Sequence, residues 1–99
     1  SVRGTMTLCY PSTKSGFTGR QFAQIAQRHM VAALDTVDLK VRLRPDLIVL
    51  RETYMPAALA EVAFLTNSSD REKLRDESFR QTAAEALCSS VLEALDEVA

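Results

Sequence analysis

Hydrophobic positions along the chain change period several times, and each change marks an element. Residues 5–10 (Thr-Met-Thr-Leu-Cys-Tyr) alternate apolar and polar, the pattern of a strand, and run into a polar, breaker-rich loop at 11–16. Thr18 followed by Gln21 reads as a helix N-cap with its capping partner. Phe22, Ile25, Ala26, His29 and Ala33 then recur at helical spacing. Residues 34–45 form a polar connection in which Lys40, Arg42 and Arg44 alternate, as they would along one side of an extended segment. The continuous aliphatic run 47–50 predicts an interior strand.

After the link 51–56 comes a second apolar run, 57–65, short enough for a strand buried on both faces and interrupted by one charge, Glu61. Ser69 and Glu72 make a second capping box, opening a short helix that ends near Arg75. A longer helix begins at about Asp76 or Ser78. Its predicted apolar stripe is Phe79, Ala83, Ala86, Leu87, Val91, Ala94 and Leu95. Cys88 falls nearly opposite Phe79 on that helix. The order of elements predicts an α/β fold: a central sheet flanked by helices, with about three strands, two long helices and one short helix.

Composition narrows the function. The 99 residues suffice for one domain with a modest core. With 46 % apolar residues and several segments that look buried on more than one side, the chain reads as part of something larger. A net charge of −1 argues against a nucleic-acid or membrane-surface binder. No apolar stretch approaches the roughly 18 residues of a membrane span, and Ser1-Val2-Arg3-Gly4 has no leader pattern. Cys9 and Cys88 have neither metal-ligand spacing nor a disulfide framework, so two free thiols are expected. His29 is the single histidine; placed on the inner stripe of its helix, it reads as a core or helix-edge residue rather than a ligand. Phosphate-loop and serine-nucleophile motifs are absent.

Glu61 is the strongest candidate for chemistry. An ionised carboxylate is costly to bury, so one inside an apolar strand is paired, metal-linked or held for proton transfer. One reading pairs it structurally with Arg51, one strand away; another makes it catalytic. Both stand on the residues alone.

Residues 49–67 (Val-Leu-Arg-Glu-Thr-Tyr-Met-Pro-Ala-Ala-Leu-Ala-Glu-Val-Ala-Phe-Leu-Thr-Asn) closely resemble the C-terminal signature of zinc-dependent N-acetylmuramoyl-L-alanine amidases, the cell-wall hydrolases. In that family a Val-Leu-Arg segment is followed by Met-Pro, an apolar strand with an embedded Glu, a Gly-Phe-Leu-Ser-Asn turn and a short capped helix. Arg3-Gly4, the serine-containing loop, the Phe22-Ala23 helix and the helix from Phe79 extend the resemblance over essentially the whole chain. This sequence departs at Val41-Arg42-Leu43, where an Arg-Gly pair is usual, at Ala63, which replaces a Gly, and at Ser68, which replaces a common Pro.

The resemblance implies that Glu61 is the catalytic base, that zinc is the cofactor, and that peptidoglycan is the substrate, cut outside the cytoplasm between N-acetylmuramic acid and L-alanine. It also implies that residues 1–99 are the C-terminal half of the catalytic domain. The family's zinc ligands lie in Gly-His-Gly and Ser-x-His-Ala motifs and an intervening Glu, none of which this chain contains. The expected partners are therefore the missing N-terminal half or a second copy, and the chain alone is expected to be inactive. A silent amidase-like module that binds cell wall or a protein is the first alternative; an unrelated interaction domain with a structural Glu61–Arg51 pair is the second.

Overall fold

A computed structural model describes residues 2–98. Strand β1 (Thr5–Cys9) is the middle of a three-stranded sheet of order β2-β1-β3. Helix α1 (Gly19–Ala33) carries the chain back so that β2 (Asp38–Leu43) lies parallel to β1, the crossover a parallel pair requires. Strand β3 (Leu59–Glu61) runs antiparallel along the other side, with Leu8 opposite Leu59, Thr7 opposite Ala60 and Met6 opposite Glu61. Three helices complete the described chain: α2 (Ile48–Arg51), α3 (Ser68–Arg75) and α4 (Glu77–Val98). The α/β reading holds, with three strands and two long helices.

Two strand assignments from the sequence exchange places. The run 47–50 is not an interior strand: residues 48–51 form one turn of helix with Ile48 and Val49 exposed and only Leu50 buried. A short aliphatic run has no period that distinguishes strand from helix. The polar connection 34–45 supplies β2 instead. That strand is half-exposed, so its alternation of Lys40 and Arg42 with Val41 and Leu43 reads as loop in the sequence. Between Thr5 and Thr7 its register slips, and Lys40 at the slip takes φ 68°. Asp38 holds this bulge by accepting the Lys40 N–H at 2.9 Å and its ammonium at 3.0 Å.

Helices cover the sheet on the side of Ala60 and Val62, which pack against a core of Ala26, Met30, Leu34, Ala83 and Ala86. The expected two-face burial of 57–65 is accordingly not found. Only Leu59–Glu61 is strand, and Leu59 and Glu61 project from the side opposite Ala60, Leu59 exposed and Glu61 half-buried.

At the start of α1 the Gln21 carboxamide oxygen accepts the Thr18 N–H at 2.6 Å, as the capping pattern predicts. Helix α3 starts earlier than expected: Asn67, not Ser69, is its cap, accepting the Asp70 N–H at 3.1 Å. Asp76 then accepts the Ser78 N–H at 3.0 Å and opens α4. The stripe of α4 is also rotated. Ala83, Ala86, Ser90 and Ala94 are buried, whereas Val91 and Leu95 are exposed, because small residues line the face that lies on α1. Ser90 satisfies its buried hydroxyl by donating to the Ala86 carbonyl at 2.8 Å. Cys9 is buried in β1 and Cys88 exposed on α4, both as free thiols.

Candidate active site

Glu61 ends β3 directly across from Met6, so its backbone lies near the N-terminal end of β1. It has no hydrogen-bond or ion-pair partner among the described residues. The proposed structural partner is engaged elsewhere: Arg51 lies on α2, not on a neighbouring strand, and its Nε is 3.1 Å from a Glu52 oxygen. The cation that feels the Glu61 charge is Arg44. Its guanidinium is held more firmly protonated first by Asp46 and more weakly by Glu61. Glu61 is thus a half-exposed carboxylate with free acceptor oxygens, the arrangement a proton acceptor needs.

The backbone just past Glu61 is clamped at two points. Asp70, inside the segment 69–72 of the predicted capping box, is a buried carboxylate, 1 % exposed. Its Oδ2 accepts the Gly4 N–H at 2.8 Å and the Phe64 N–H at 3.0 Å. It thereby joins the approach to β1 to the chain just past Glu61. The Thr5 hydroxyl lies 2.8 Å from the Val62 carbonyl and 3.0 Å from the Thr36 hydroxyl. Gly4 makes this approach possible: with φ 119°, a Cβ there would sit 2.5 Å from the Val37 carbonyl oxygen. One signal in the sequence pointed to Asp70, an acidic residue in the first turn of a helix directly after the apolar run; it is equally the signal of an ordinary helix start.

A second polar group ties β1 to β2. Gln27, buried in α1, donates to the Thr5 carbonyl at 2.7 Å and to Asp38 at 2.8 Å, and accepts the Thr7 hydroxyl at 2.9 Å. That bond from Gln27 is the main reason the Asp38 carboxyl titrates below its usual range, with burial opposing and Lys40 assisting. Nothing in a helical stripe read by hydrophobicity singles out Gln27.

Other candidates resolve plainly. His29 is a helix-edge residue whose Nε2 lies 2.8 Å from a Glu93 oxygen, and Arg28 pairs with the same carboxylate. Those two partners, His29 first, hold the Glu93 carboxyl below its ordinary value. The alternating cations of 40–44 are individually occupied: Lys40 by Asp38, Arg42 by the Leu39 carbonyl, and Arg44 by Asp46, which is lowered to about 2.

The residues of this chain do not fit a zinc site. Its one imidazole bonds Glu93, one thiol is buried in β1 and the other lies out on α4, and among the described residues no three His, Cys, Asp or Glu converge.

Comparison with known proteins agrees with this geometry. The chain is 37 % identical over 91 residues to the uncharacterized protein YqiI of Bacillus subtilis, covering 92 % of this chain and 43 % of that protein. To an uncharacterized cell wall amidase of Bacillus anthracis it is 37 % identical over 98 residues, covering 94 % of this chain and 18 % of the other. An N-acetylmuramoyl-L-alanine amidase of Clostridium difficile superposes with a TM-score of 0.91 at 29 % identity, over 100 % of this chain and 52 % of that one. The chain spans about half the length of that structure and less than half of these two curated relatives. The profile of the N-acetylmuramoyl-L-alanine amidase family matches residues 1–93, so the chain belongs to that family.

Proposed function

We propose that the chain is the Glu-bearing half of a peptidoglycan amidase catalytic domain, acting outside the cytoplasm on the amide between N-acetylmuramic acid and L-alanine. The observation that carries the reading is Glu61: a carboxylate just before a clamped stretch of backbone, with no hydrogen-bond or ion-pair partner among the described residues, in the run 57–65 that resembles the family's apolar strand with an embedded Glu. In this role Glu61 accepts the proton of the attacking water and returns it to the departing amine. The zinc that the family resemblance implies would be held by ligands outside residues 2–98.

The surfaces of the fold support the half-domain reading. Both β2 and β3 are edge strands in the described sheet, and Leu59 is exposed on the face that carries Glu61. Such edges and faces are normally paired or covered. The second reading is an amidase-like module that binds cell wall without turnover. Incubating the intact protein with purified cell wall separates them: release of new N-terminal L-alanine supports the amidase, and wall binding without release supports the module.

A further inference from the structure

We propose that the cleft at the far end of β1 from Glu61 is a binding subsite for the carboxylate-bearing end of an acidic peptide, the stem of the wall polymer. This rests on the peptidoglycan reading and adds to it a place where the peptide is held. The cleft is lined by Tyr10, Lys14, Thr18, Arg51, Tyr54 and Ala57, among others. It has a volume of about 130 Å³ and is partly open to solvent, so an extended peptide end can enter it.

Its charge has one sign. Lys14 and Arg51 are the charged side chains in the lining, and no carboxylate joins them among the described residues. Glu52 engages Arg51 through Nε, leaving most of the five guanidinium donors for a ligand. The Lys14 ammonium stands 6.0 Å from the centre of the Tyr54 ring and 3.4 Å from the Tyr54 carbonyl, so the loop after β1 and the loop before β3 meet across the cleft. Tyr54 itself is 92 % exposed, a large ring that the fold does not use for packing. Below it, Gly19 lets the start of α1 touch the Ala57 backbone: a Cβ there would lie 2.4 Å from the Ala57 carbonyl oxygen. The position is therefore fixed by backbone contact rather than by loose loops.

Its distance from Glu61 suits a short peptide. Ala57, in the cleft wall, precedes Glu61 by four residues, which places them at most about 14 Å apart along an extended chain. Leu59 lies between them, exposed and on the face of Glu61. A stem peptide of four residues, one of them γ-linked, is long enough to span that distance, so a ligand with its first amide at Glu61 can reach the cleft with its far carboxylate.

The test uses the intact protein and two free peptides that are not cleaved, the dipeptide L-alanyl-γ-D-glutamate and the tetrapeptide that extends it with diaminopimelate and D-alanine. The tetrapeptide is expected to bind at least about tenfold more tightly, the scale of one charged contact. Lys14→Ala and Tyr54→Ala, both surface changes, are expected to remove that advantage without changing dipeptide affinity or melting temperature. Equal binding of the two peptides by the unaltered protein, or an advantage that survives both substitutions, overturns the subsite. Amide cleavage assayed on the same preparations separates the two claims: absence of turnover counts against the amidase reading alone, since peptide binding is measured without it.

Discussion

The carboxylate of Asp70, in the first turn of α3, accepts the backbone N–H of Gly4, tying together positions 66 residues apart at the approach to β1. The same oxygen holds Phe64, three residues beyond Glu61. Removing it leaves two N–H groups without their acceptor, at least one of them buried. Asp70→Ala is therefore expected to destabilise the protein by about 3 kcal/mol, and Asp70→Asn by less, because an amide oxygen can still accept. Denaturant unfolding of the two variants beside the parent checks both the size and the order.

Gly4 makes a second, independent demand on the same corner. With φ 119° and the Val37 carbonyl oxygen 2.5 Å from any added Cβ, Gly4→Ala forces either strain or separation of β1 from the segment before β2. The expected cost is about 2 kcal/mol or more. Gly16→Ala, also at positive φ but facing open space, is expected to cost less. Thermal melts of the two variants make the comparison, and equal losses would contradict the close-approach argument.

Acid should weaken the fold. Asp38, Asp46 and Glu93 all have folded-state values depressed below their ordinary ones, Asp46 to about 2. A depressed carboxyl adds stability above its unfolded value near 4, and that stability is lost as pH falls through the folded value. Melting temperature is thus expected to hold between pH 5 and neutrality and to decline below about pH 4. In Glu93→Gln, which loses the carboxylate shared by His29 and Arg28, the decline should be shallower.

Much of this architecture is legible in the sequence because single residues specify it. Alternation marks β1, Thr18 with Gln21 marks the start of α1, and the spacing of Ala83, Ala86 and Ala94 marks the inner side of α4. The readings that fail share a cause: hydrophobicity reports how much is buried but not by what. Residues 47–50 look like a central strand yet leave Ile48 and Val49 in solvent, while β2 hides in a charged stretch since only part of it is covered. Val91 and Leu95 continue the apolar stripe by spacing, but close contact with α1 selects Ser90. Of the site, Glu61 is visible because it interrupts an apolar run. Asp70 and Gln27 are not, because their partners are backbone groups and side chains distant in sequence.

Metal uptake follows from the ligand inventory. The 99-residue chain offers one imidazole and two separated thiols, so zinc titration of it is expected to show only weak binding. Tight, stoichiometric uptake with four-coordinate geometry would contradict ligands lying outside the described residues.

The most direct test of the account is amide cleavage by the intact protein carrying Glu61→Gln, with melting temperature and zinc content measured on the same preparation. The substitution keeps the shape of a half-buried side chain that has no partner to lose, so folding and zinc content should match the parent. Turnover is expected to fall about 100- to 10,000-fold, the usual loss with a general base. Unchanged cleavage, or a loss that merely follows a lowered melting temperature, would contradict the catalytic role of Glu61.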